Sequence, residues 1–212
     1  MALPRIMPYA TPTDLPRPRA DWRPERDRTA LLVHDMQRYF CAAFSPDQQP
    51  LESVTGNIAR LLASARQAGI PVFYTAQRGD QLRADRGLQA DLWGPGMRAD
   101  PEHEAILPEI APRSGDHVLV KHRYSAFQRS NLAELMRARG RDQLLVTGIY
   151  AHIGCLCTAA EAFQRDIQPF AITDAQADFD LPRHEMAMGW VAACCGGVID
   201  TKAALAAMAE AS

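Results

Sequence analysis

The sequence has little cysteine, no excess of either charge, and no apolar run long enough to cross a membrane. Its five cysteines, Cys41, Cys155, Cys157, Cys194 and Cys195, form no Cys-x-x-Cys pair and are odd in number. That pattern argues against a disulfide framework and for small buried thiols. With 23 basic and 25 acidic residues the formal net charge is -2. No global field therefore draws the chain to nucleic acid or a membrane surface, and an anionic ligand has to be met by local cations. The opening MetAlaLeuProArgIleMetPro lacks the apolar core of a secretory leader, so the expectation is a cytoplasmic protein without nucleic-acid or membrane partners.

What is present is an alternation of short buried runs and amphipathic stretches. Prolines 4, 8, 12, 16, 18 and 24 forbid helix over residues 1–28 and predict an extended, non-catalytic arm lying across the domain or a neighbouring subunit. Residues 29–212 read as one domain. The run from Ala30 reads as a strand buried on both faces that ends in His34 and Asp35. Further strands are expected at Val72–Thr75, His117–Val120, Leu144–Thr147, Phe170–Thr173 and Val198–Asp200. Between them, Ser53 is expected to cap a helix ended by Gly69, Glu102–Ile110 to form a short helix, and Ser130 to cap a helix closed by Gly140. A helix of small residues around Thr158–Phe163, one from about Pro182 to Cys195 and a terminal helix complete the pattern. The fold class is α/β: a doubly wound, mostly parallel six-stranded sheet with helices on both faces, a Rossmann-like three-layer sandwich.

In such a sheet ligands bind at the carboxyl ends of the strands. Asp35, Lys121 and the turn Gly148–Cys155 all follow predicted strands, so they converge on one edge. The same placement suits a structural ion pair, and Cys155 at a helix start suits either a nucleophile or a packing residue. The long connection Gln77–Met97, with Arg78, Arg83, Arg86 and TrpGlyProGly at 93–96, exceeds what a turn needs.

LeuLeuValHisAspMetGln (31–37), TyrThrAlaGln (74–77), TrpGlyProGly (93–96), ArgTyrSerAlaPhe (123–127), GlyIleTyrAlaHisIleGlyCys (148–155) and AspIleGlnProPhe (166–170) occur in collinear order. Together they closely resemble the isochorismatases of the cysteine-hydrolase-like superfamily, over nearly the whole chain. The resemblance implies hydrolysis of the enolpyruvyl vinyl ether of isochorismate to pyruvate and 2,3-dihydro-2,3-dihydroxybenzoate. It places Gly154 where amidase relatives carry the nucleophilic cysteine, one residue before Cys155. Asp35 is then the general acid that protonates the methylene carbon, with Lys121 beside it.

By the same resemblance, Arg86 rather than Arg78 clamps a carboxylate, Gln77 holds water or a hydroxyl, and Tyr150 with the Gly154 N–H meets a carboxylate at a helix mouth. Trp93, Phe44 and Tyr124 are candidates for an apolar wall. His122 stands where relatives have tryptophan after the lysine. No metal and no cofactor are expected: the histidines lack ligand spacing, and Glu102-His103-Glu104 reads as an exposed helix start. The implied ligand is a small dianion, the implied assembly a homodimer, and no fused carrier domain is expected. The alternative substrate is 2-amino-2-deoxyisochorismate, as in phenazine biosynthesis rather than siderophore biosynthesis; a cysteine-dependent amidase is the more distant alternative.

Overall fold

β1, Thr29–His34, is buried at every position, as a central strand covered on both sides must be. In the computed structural model, which describes residues 3–210, it is followed by α1 (Arg38–Cys41), α2 (Leu51–Ala68), β2 (Val72–Ala76), α3 (Arg83–Arg86), α4 (Gln89–Trp93), α5 (Pro101–Glu104) and β3 (His117–Val120). The second half contains α6 (Leu132–Ala138), β4 (Gln143–Ile149), α7 (Leu156–Gln164), β5 (Gln168–Ala177), α8 (Leu181–Cys194), β6 (Gly197–Ile199) and α9 (Thr201–Ala209).

The sheet is parallel throughout, with strand order β3-β2-β1-β4-β5-β6. Alternation along β1 sends Leu31 and Val33 to one face and Ala30 and Leu32 to the other. The first pair packs with Ile58, Leu61 and Leu62 of α2 and Ala204 and Met208 of α9. The second packs with Leu132 and Met136 of α6 and Ala162 of α7, and α8 extends that layer through Ala187, Met188 and Val191. The strand order reverses between β1 and β4, and the crevice opened there by the two diverging crossovers is where the fold favours a ligand site.

Several expected boundaries differ. α2 starts at Leu51, and the Ser53 hydroxyl turns back onto the Pro50 carbonyl from inside the first turn instead of capping it. The stretch expected as one helix over Glu102–Ile110 is α5 followed by a 3-10 turn at Pro108–Ile110. Between them Ile106 bridges Gln37 and the Leu107 N–H donates to the Met36 carbonyl, which pulls the chain straight. Ahead of α6, Ser130 accepts from the Leu132 N–H, and the helix itself begins at Leu132. β5 runs well beyond Phe170–Thr173, because its polar residues are satisfied internally: Asp174 caps Thr201 of α9 and Gln176 donates to the Val146 carbonyl.

Candidate active site

The register of three strands assembles the centre. His34 pairs with Thr75 and Ala76 pairs with Val120, so the residues at the exits of β1, β2 and β3 stand side by side. Asp35 leaves β1 with φ of 50°, a left-handed conformation that a non-glycine residue adopts at a cost and that recurs at functional positions. Its Oδ1 accepts from the Thr75 hydroxyl at 2.7 Å, and Thr75 accepts in turn from the Asp35 N–H at 3.1 Å. Its Oδ2 accepts from Lys121 Nζ at 2.7 Å and Gln77 Nε2 at 3.3 Å.

Asp35 and Lys121 are only 5% and 4% exposed, so their charges face each other with little water between them. Burial alone pushes the Asp35 carboxyl up. The Lys121 ammonium, His34 and the hydrogen bonds from Lys121 and Thr75 outweigh it, and the net effect holds the carboxyl below its ordinary value. Facing these partners, Asp35 is ionised at neutral pH.

Gln37 secures the neighbouring loop. Its amide donates to the Gln77 and Glu104 carbonyls, at 2.8 and 2.9 Å, and accepts from the Gln77 N–H at 2.7 Å. It is fully buried, and it lies inside the HisAspMetGln motif, which was the only signal for it in the sequence.

Arg86, on α3, lines the same cavity. Its Nε donates to the Gly94 carbonyl at 3.0 Å, and it forms no ion pair with an acidic side chain among the described residues. Burial pushes its pKa down, with Tyr39 opposing. The TrpGlyProGly turn is shaped around it: Gly96 has φ of +84°, and a Cβ there would overlap the guanidinium. A largely dehydrated guanidinium with no acidic partner leaves donors of the kind that pair with carboxylates facing the cavity.

Aromatic and polar side chains surround the cavity. Trp93 and Tyr124 both line it, tied by a 2.7 Å hydrogen bond from the indole N–H to the phenol oxygen. Tyr150 lines it as well, but its hydroxyl donates to the Phe40 carbonyl at 2.8 Å, so that proton is committed within the protein. Phe44 does not face the cavity as expected; it stacks behind Tyr150, with ring centroids 6.1 Å apart. Tyr39, Phe40, Gln89 and Phe179 line the cavity instead, none of them distinguishable from core or loop residues in the sequence.

The Tyr150–Cys155 turn opens with a wide turn of π type, Ala151–Cys155, that runs into α7. Gly154 faces the cavity. Cys155 does not: its thiol points at the Thr147 carbonyl 3.9 Å away, and burial pushes its pKa well up, the opposite of an activated nucleophile. His122 also stays out of the cavity lining. Arg78 and Arg83 are exposed and lie near Glu104 and Asp91. His152 pairs with Asp178 at 2.5 Å. Among the described residues no group of three or more His, Cys, Asp or Glu side chains is arranged to hold a metal ion.

A model of the isochorismatase domain matches residues 29–203. An isochorismatase of Bacillus subtilis is 50% identical over 207 residues, covering 97% of this chain and 66% of that protein. The chain thus spans just under two thirds of that relative. The phenazine biosynthesis protein PhzD of Pseudomonas fluorescens is 47% identical over 201 residues, covering 94% of this chain and 96% of that one. Among solved structures, a cysteine hydrolase from Pseudomonas syringae superposes with a TM-score of 0.79 at 26% identity, covering 92% of this chain and 97% of that one.

Proposed function

The chain belongs to the isochorismatase family, and on that premise we propose that it hydrolyses the enolpyruvyl vinyl ether of isochorismate to pyruvate and 2,3-dihydro-2,3-dihydroxybenzoate. The observation that carries the reading is the Asp35–Lys121 pair opening onto a cavity whose helix mouth holds Gly154 and no thiol. Such a site offers a proton donor and no protein nucleophile. A vinyl ether needs no more than this: protonation of its terminal methylene creates an oxocarbenium carbon, water adds there, and the hemiketal expels the ring alcohol as the keto group of pyruvate forms.

Asp35 is the acid in this scheme, although Lys121 and Thr75 favour its ionised form. A bound dianion raises the carboxyl's proton affinity by adding negative charge and by competing for Lys121. Proton uptake is thereby coupled to substrate binding. After donation the regenerated carboxylate stabilises the oxocarbenium and accepts a proton from the attacking water, which Gln77 orients. Arg86 takes a carboxylate in a two-point clamp, and Trp93, Tyr124 and Tyr150 exclude bulk water around the reacting carbon.

The same chemistry on 2-amino-2-deoxyisochorismate is the second reading, favoured by the near full-length match to PhzD of Pseudomonas fluorescens. A homodimer belongs to the proposal, and sedimentation equilibrium tests it. A pyruvate-release assay offering both substrates side by side tests the function: turnover of isochorismate supports the main reading, preference for the amino compound supports the second, and turnover of neither overturns both.

A further inference from the structure

The proline-rich segment reaches the cavity. Leu3 is among the residues lining it. Three residues on, Ile6 is 1% exposed, donates its N–H to the Ala43 carbonyl at 2.8 Å and bridges Phe44, the residue that backs Tyr150. At Tyr9 the phenol oxygen accepts from the Asp178 N–H at 2.7 Å and lies 3.2 Å from Nδ1 of His184. Asp178 directly precedes Phe179, whose N–H it also receives at 2.8 Å, and Phe179 packs against Tyr150 with centroids 4.5 Å apart. The segment therefore grips the aromatic wall on both flanks of Tyr150 and inserts an aliphatic side chain beside it.

We propose that residues 3–9 form a substrate-positioning wall of the active site, in which Leu3 contacts the uncharged side of the bound dianion while Ile6 and Tyr9 hold Phe44 and Phe179 in register against Tyr150. The inference rests on the reaction proposed above. It assigns specificity to a segment whose composition reads only as an extended arm.

The test is steady-state pyruvate release by Leu3→Ala, Leu3→Asp and Leu15→Asp, each checked for folding by circular dichroism. Leu15 lies on the same proline-rich stretch, is 42% exposed and is not among the residues lining the cavity. Loss of the apolar contact in Leu3→Ala raises KM by about fivefold. A carboxylate placed beside a dianion in Leu3→Asp raises it by about tenfold or more, an effect that shrinks as salt is added. Leu15→Asp keeps the wild-type KM. Wild-type turnover reports on the reaction, and the variant-to-wild-type KM ratio reports on the wall. A folded Leu3→Asp enzyme with wild-type KM at low salt overturns the proposal.

Discussion

The imidazole of His34 occupies the space that a side chain at position 154 would need. A Cβ built on Gly154 would stand 2.8 Å from Nε2 of His34 and closer still to Cε1. His34 is fully buried and anchored through Nδ1 to the Ile149 carbonyl at 2.9 Å, so displacing it would break that bond. Glycine at 154 and histidine at 34 form a matched pair, and together they leave no room for a side chain at 154.

Gly154→Cys should therefore create a clash and no amidase. Overpacking of this kind costs about 1–3 kcal/mol, readable as a lower urea midpoint, together with loss of pyruvate release. Shortening the imidazole in His34→Ala/Gly154→Cys should recover part of the stability lost by the single substitution. Cys155→Ala, by contrast, should leave turnover near wild type, and near-total loss in a folded protein would restore the cysteine mechanism.

Asp35→Asn should lower kcat for pyruvate release by about 10²- to 10⁴-fold, the usual worth of a positioned general acid. It also strips Lys121 of its buried partner, which costs about 3–5 kcal/mol of stability. Asp35→Asn/Lys121→Gln separates the two effects: stability should partly return while activity does not. Activity that returns with stability would remove Asp35 from the chemistry.

Arg86→Lys should raise KM by about tenfold with little change in kcat, because a point charge replaces a planar fork. Gly96→Ala, which leaves every charge in place, should do the same, since its Cβ would displace the guanidinium. If Gly96→Ala binds substrate normally, the turn at 93–96 does not position Arg86 as described.

Burial holds both His34 and His184 down to about 4, below the unfolded value near 6.5. Between those limits the unfolded chain binds the extra protons. The stability that each neutral ring contributes is thus complete above about pH 6.5 and is lost as pH falls toward 4, by up to about 3 kcal/mol per histidine. Urea midpoints at pH 7.0, 5.5 and 4.5 measure the loss. Ring resonances in nuclear magnetic resonance spectra should show both imidazoles neutral at pH 5.5, and a titration of either near 6.5 would contradict the burial argument.

The parallel α/β sheet was legible in the sequence pattern, because β1 and β4 are short apolar runs separated by helix-period stretches, and such runs can be satisfied only under helices on both faces. It also brought Asp35, Lys121 and the 148–155 turn to one edge, since all three follow strands. The resemblance to the family pointed to Arg86 by analogy and to Gly154 through the 148–155 motif. The surroundings of these residues were not legible in the sequence. Phe44 turns away behind Tyr150, while Phe179 and Leu3, separated by most of the chain, meet at the cavity. Local periodicity reports which face of an element is apolar, whereas contacts between distant segments depend on how crossovers and the arm settle against one another. The pairing of His34 with Gly154 has the same origin: the two residues lie on different strand exits, and only the β1–β4 register brings an imidazole into the space a side chain at 154 would fill.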